Sequence, residues 1–201
     1  MIPGSRAVLH FLFALPLLSA AACPALAAGE EVLTLDAAHT QIAWTMPAVL
    51  HTVHGTFKLK NGVVQFDPDT GKAGGMIVVD ATSGESGDGA RDRKMHKDVL
   101  ESSKYPEITF TPTALHGTVA SQGTSQVRLD GIFSAHGAQH PITLDAQVKA
   151  GGGLLTITTQ FSVPYAEWGM KNPSTLFLRV PGSVQIDIQA QGRVDTSSQS
   201  Q

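Results

Sequence analysis

Apolar and polar residues alternate with a period of two along most of the chain, as in strands that bury one face. In Gln41-Ile42-Ala43-Trp44-Thr45-Met46, the residues Ile42, Trp44 and Met46 share a side. Between His140 and Lys149, Ile142, Leu144, Ala146 and Val148 point one way, and Thr143, Asp145, Gln147 and Lys149 the other. Val184 to Ala190 repeats the pattern with cleaner contrast. Leu155, Ile157 and Phe161 share a face, as do Val127, Leu129 and Phe133.

The strongest local turn signal is Asn61-Gly62. It predicts a two-residue type I′ hairpin, whose central residues both need positive φ. The implied register pairs Lys60 with Val63, Leu59 with Val64, Lys58 with Gln65 and Phe57 with Phe66. Phe57, Leu59, Val64 and Phe66 then share one face, with Val63 the misfit on the other.

About eight or nine such runs, joined by turns rich in Gly, Asn and Asp, predict an all-β sandwich or barrel. One segment differs. Asp88 to Glu101 carries Arg91, Met95 and Val99 at a spacing of four, which predicts a short helix whose single stripe caps one end of a barrel. Pro106 stops helix after Ser103. The stretch from Pro164 to Pro181, with Tyr165, Trp168, Met170, Leu176, Phe177 and Leu178, is too apolar for a solvated loop. It reads either as a bent, packed crossover or as a wall at a ligand entrance. Arg193 to Gln201 is polar and reads as a disordered tail.

Residues 1–27 stand apart from this pattern. Arg6, the apolar run Ala7 to Leu18 and the small residues ending in Ala25-Leu26-Ala27 have the order of a secretory signal cleaved near Ala27. The run is too short to span a bilayer comfortably. Lipoprotein processing at Cys23 is the alternative, without the leucine usual before such a cysteine. The predicted domain is 28–192, with the product periplasmic or secreted. Cleavage removes Arg6 from 14 basic side chains and none of 17 acidic ones, leaving a net charge of −4. That mild acidity offers no footprint for nucleic acid. Cys23 is the only cysteine, so the processed chain has no disulfide, thiol nucleophile or Cys-based zinc site. A content of 20 Gly and 11 Pro favours turns over long helices.

Candidate chemistry centres on histidine. His51 and His54 are three apart, which on a strand puts them on opposite faces. His136 and His140 flank Gly137-Ala138-Gln139, a predicted turn. Either pair suits zinc or copper, but neither has a third and fourth ligand spaced for it. A nucleophile elbow and phosphate-binding glycine motifs are absent. Asp80, Glu85, Asp88 and Asp92 sit near turns and a helix start, where carboxylates cap. The residues therefore predict no enzyme, no catalytic set, no cofactor and no metal.

Arg91-Asp92, then Leu100, then Lys104-Tyr105-Pro106-Glu107-Ile108-Thr109-Phe110 form a distinctive run. It is preceded by Asp36-x-x-His39-Thr40-x-Ile42 and Gly55-Thr56-Phe57, and followed by Gly131-x-Phe133-x-x-His136-Gly137-x-x-His140-Pro141-Ile142. Together these motifs resemble the YceI-like family of bacterial polyisoprenoid-binding proteins, over about Leu35 to Gly192. Lys94-Met95 stands where that family often carries His-Leu, and the Trp168 to Pro173 loop also departs from it.

The resemblance implies an eight-stranded antiparallel, lipocalin-like β-barrel with one short capping helix and an extended apolar channel for a long-chain isoprenoid or fatty amphiphile. The apolar walls are expected from Ile42, Trp44, Phe57, Leu59, Phe66, Phe110, Phe133, Leu144, Ile157 and Phe161, with Trp168 at the entrance. Arg91, Lys104 and Tyr105 are candidates for a lipid head group, since a phosphate favours cationic donors. The expected function is an exported lipid carrier or sequestering protein. Two alternatives are a metal-assisted hydrolase using His51/His54 or His136/His140, and an interaction module for a membrane redox or stress-response protein. A membrane-associated partner and a homodimer stay open.

Overall fold

Strands with one apolar and one polar face can bury the apolar face by closing on themselves, and this chain does so. The computed structural model describes residues 29–47, 52–174 and 179–196. The N-terminal segment with Cys23, His51, Leu176, Phe177, Leu178 and residues 197–201 lie outside the described residues. The strands are β1 (Glu31–Leu35), β2 (Gln41–Met46), β3 (Val53–Phe66), β4 (Ala73–Glu85), β5 (Glu107–His116), β6 (Gly123–Ala135), β7 (Ala138–Gly151), β8 (Leu154–Val163) and β9 (Val184–Thr196). Every pairing is antiparallel, and β2 to β9 close into a ring through β2–β9 and β3–β4. β1 lies in line with β2, between the same neighbours β3 and β9, so the two share one stave. The result is the eight-stranded antiparallel barrel that the motifs imply. A 3₁₀ turn at Ala37–His39 breaks the shared stave, capped by Asp36, whose carboxylate accepts from the Ala38 N–H at 2.8 Å.

The Asn61-Gly62 hairpin does not form. β3 runs straight through it, and neither residue has positive φ. Instead Leu59 pairs with Val79 and Asn61 with Val78, a β-bulge that leaves both Lys60 and Asn61 exposed. A bulge and a two-residue turn both switch the inward face from odd to even positions. That is why Phe57, Leu59, Val64 and Phe66 still share one face. The chain reverses later, at Asp67 to Lys72, where the Asp67 carboxylate accepts from the Thr70 hydroxyl at 2.7 Å. The positive-φ pair sought at Asn61-Gly62 occurs at His136 (φ 51°) and Gly137 (φ 77°), which join β6 to β7 with Ala135 opposite Ala138.

β9 also continues past the expected domain end. Gly192, Arg193, Val194, Asp195 and Thr196 pair with β1, so the polar tail begins in a ladder rather than in disorder. Polar side chains there suit a strand whose outer face meets water.

Between β4 and β5 lies the predicted helix. α1 (Gly89–Lys94) starts at Asp88, whose carboxylate accepts from the N–H groups of Ala90 and Arg91. A π-helical turn, Met95–Val99, continues it. His96 ties this segment to the barrel: its Nε2–H donates to the Gly84 carbonyl at 2.8 Å, and its Nδ1 accepts from the Ser102 hydroxyl at 3.0 Å.

The barrel interior divides in two. At one end Leu33, Val64, Phe66, Val127, Val148 and Leu155 pack into a filled core. At the other, Ala135, Val163, Tyr165 and Met170 form a second cluster with Phe133, Phe161 and Trp168 against it.

Candidate functional site

The second end is hollow. A cavity of about 500 Å³ lies between α1, its π-helical extension and the inner faces of β2, β3, β6 and β9. That volume is in the range of small-molecule sites. Trp44 and Met46 of β2, Val53 and Phe57 of β3 and Ile186 of the adjoining β9 form one wall, with Phe133 of β6 across from them. Ala90, Met95, Val99 and Leu100 form the helical wall. Tyr165, Met170, Pro173 and Val180 close the remaining side, so the irregular stretch after β8 is a cavity wall.

Register explains the membership. Trp44 pairs with Ile186, and Met46 with Val53, so these residues form two successive rows at the same end of the barrel. Trp44 pairs with Gly55 across β2–β3, and its indole lies where a Cβ on residue 55 would stand. Gly55 therefore gives the indole its seat. The Trp44 N–H is buried and has no acceptor among the described residues.

Polar groups on the wall are few. Arg91 is half-buried and fixed, its Nε donating to the Ser86 hydroxyl at 2.7 Å and its Nη2 to the Ser86 carbonyl at 3.0 Å; Ser86 in turn donates to Asp92. Lys94 is exposed and donates to the Pro173 carbonyl at 3.2 Å, joining the helical wall to the loop wall where the cavity borders solvent. Tyr165 donates its hydroxyl to the Pro181 carbonyl at 2.6 Å, and burial pushes its phenol pKa up. The site is thus an apolar chamber with two cations on its helical wall and no carboxylate lining it. Such a chamber suits a ligand with a long apolar part and a polar or anionic end.

Of the expected wall residues, Trp44, Phe57, Phe133 and Arg91 meet at the cavity. Ile42, Leu59, Phe110 and Leu144 are inward and buried but lie outside it. Phe66 belongs to the filled core, with Ile157 packed on it. Within the barrel the cavity thus lies at the helical end, while Phe66 and its neighbours pack together at the other. Phe161 and Trp168 stand behind Phe133, at ring separations of 6.2 and 5.4 Å. Lys104 and Tyr105 are not in the chamber: Lys104 lies 4.8 Å over the Tyr105 ring, which packs 4.8 Å from His136.

Lys94, Met95, Met170 and Ile186 line the site although sequence reasoning did not single them out as binding residues. Met95 was legible in the helix stripe and Ile186 in the β9 alternation. Lys94-Met95 is also the departure from the family's His-Leu, so that departure falls inside the wall.

The described histidines of the two pairs take different partners. His54 is exposed on β3, with Nδ1 3.1 Å from the Thr45 hydroxyl. His136 faces Glu101 at 3.5 Å, whereas His140 stacks on Trp168. Among the described residues no three His, Cys, Asp or Glu side chains gather in a metal-binding group.

Residues 33–192 match the model of the YceI-like domain. The chain is 30% identical over 145 residues to a UPF0312 protein of Vibrio campbellii, covering 70% of this chain and 75% of that one. Two solved structures share its fold. BcnA of Burkholderia cenocepacia superposes with a TM-score of 0.65 at 18% identity, covering 78% of this chain and 98% of its own. A domain from Saccharophagus degradans, described as polyisoprenoid binding and implicated in plant cell wall breakdown, gives 0.64 at 15% identity, covering 81% and 98%.

Proposed function

The chain belongs to the YceI-like family, and from that premise we propose that it holds an apolar, chain-like amphiphile, an isoprenoid or similar lipid, in the chamber at the hollow end. It acts as an exported carrier or sequestering protein. The observation that carries this reading is the chamber of about 500 Å³ with apolar walls and only Arg91 and Lys94 as charged lining. Each 100 Å² of occupant surface removed from water contributes about 2.5 kcal/mol. The chain portion of the ligand thus supplies the affinity, and the two cations select its end. The polyisoprenoid-binding description of the Saccharophagus degradans domain supports the lipid class. The charge, apolar run and small residues ahead of Ala27 support export.

The test is solvent extraction of natively purified protein followed by mass spectrometry. The expected result is one apolar amphiphile per chain. Repeated absence of any such molecule, with no binding of added prenyl lipid, overturns the reading.

A further inference from the structure

The segment that walls the chamber has a second side. Ala90, Met95, Val99 and Leu100 face the cavity, whereas Arg93, Lys97 and Lys104 line a separate groove of about 570 Å³ facing solvent. All three cations are exposed. His96 also lines the groove, but both ring nitrogens are engaged within the fold, Nε2 with the Gly84 carbonyl and Nδ1 with the Ser102 hydroxyl. The one carboxylate in the groove, Glu101, is shared between His136 at 3.5 Å and Lys104 at 3.9 Å. Nearby Asp92 accepts from Ser86 and turns away into the Arg91 network. A basic face thus stands on a chain whose net charge is −3.

We propose that this basic face docks the protein on an anionic lipid bilayer. Charge complementarity is one argument: exposed Lys and Arg beside a membrane-facing element favour anionic head groups, and the attraction fades with salt. Position is the other. A bilayer presents anionic groups and apolar chains together, and here residues 89–100 contribute both to the wall of the apolar chamber and to the basic groove. Docking through Arg93, Lys97 and Lys104 brings the chamber beside the lipid that would fill it. The choice of a bilayer rests on the lipid-holding reading; the basic face does not.

Flotation of the full processed chain with vesicles tests this. Vesicles of phosphatidylglycerol mixed with phosphatidylcholine should bind it, and pure phosphatidylcholine should not. Added salt should release it. At about fivefold per cation lost, and with repulsion added by each carboxylate, the variant R93E/K97E/K104E should bind at least about a hundredfold more weakly. The matched variant K58E/K149E/R193E changes three exposed cations on the barrel strands and should keep binding. Equal loss in both variants, or indifference of the unaltered protein to anionic vesicles, overturns the proposal. So does retention of soluble polyaspartate without vesicle binding, which assigns the groove to an acidic protein. Mass spectrometry of lipid extracted from R93E/K97E/K104E separates the two readings. Loss of docking with the occupant retained leaves the chamber reading intact, and an unaltered protein that docks with its chamber empty overturns the chamber reading alone.

Discussion

The rings of His140 and Trp168 stack with centroids 4.0 Å apart and planes within 4° of parallel. This stack joins β7 to the loop that walls the chamber, behind Phe133. Yet the His140 Nε2 is buried without a hydrogen-bond partner among the described residues. A buried polar atom left unsatisfied costs free energy, and an apolar ring of similar shape removes that cost. His140→Phe should therefore keep the stack and leave stability unchanged or raised by about 1 kcal/mol, read as the urea midpoint. A clear fall in the midpoint would show that the imidazole has a partner role in solution.

The two ends of the barrel should respond differently to substitution. Leu155→Ala, in the filled core, should cost about 2–5 kcal/mol and leave the extracted lipid unchanged. Met95→Glu, on the helical wall, should abolish occupancy, because a carboxylate and the water it holds exclude an apolar chain. Its effect on unfolding should be smaller than that of Leu155→Ala, since Met95 is only half-buried. Denaturation and lipid extraction on the same samples read both.

The two turn signals make a paired test. Asn61 is exposed at a bulge without positive φ, so Asn61→Val should shift stability by no more than about 0.5 kcal/mol. Gly137 has φ 77°, and a Cβ there would stand 2.7 Å from the Tyr105 ring. Gly137→Ala should thus cost about 1–3 kcal/mol, from the left-handed backbone and the crowding together. A costly Asn61→Val with a neutral Gly137→Ala would place the hairpin turn at the wrong site.

Asp88 gives the helical wall a defined pH response. The Arg91 and Ala90 N–H groups hold its carboxyl below the ordinary aspartate value. A folded value below the unfolded one stabilises the protein fully above about pH 5, and the contribution is lost as pH falls through the folded value. The stability difference between the unaltered protein and Asp88→Ala should therefore be flat from neutral pH to about pH 5 and shrink in acid. Asp88→Asn, which caps without charge, should lack this acid-range change.

Binding of added prenyl lipid can be followed through Trp44. The chain has two tryptophans, and only Trp44 lines the chamber. In Trp168→Phe, filling and emptying the chamber should still change the emission. In Trp44→Phe the remaining Trp168 signal should change far less, since Phe133 stands between it and the occupant.

What the sequence made legible follows from what alternation measures. A period of two reports which side of a strand a residue occupies, so Trp44, Phe57, Phe110 and Leu144 were assigned inward and all are. It does not report height along the barrel, so Phe66 and Ile157 were grouped with Trp44 although they sit at the packed end. Nor does it report how full the interior is; that depends on side chains meeting across the barrel from distant strands. At Asn61-Gly62 parity was blind in a different way, because bulge and hairpin give the same faces. Alternation and the helix stripe do not assign Lys94 to the site, because it lies beside the stripe of Arg91, Met95 and Val99 rather than on it. It reaches the site through its bond to Pro173, a residue 79 positions away.

The division between a filled end and a hollow end also separates two kinds of selection. A change at Leu33, Val148 or Leu155 is registered by folding and must clear the stability threshold. A change at Met95 or Ile186, half-buried on the chamber wall, bears first on what the chamber can hold. The barrel is therefore a scaffold on which ligand preference can drift in small steps, while the residues that keep the chain folded stay as they are.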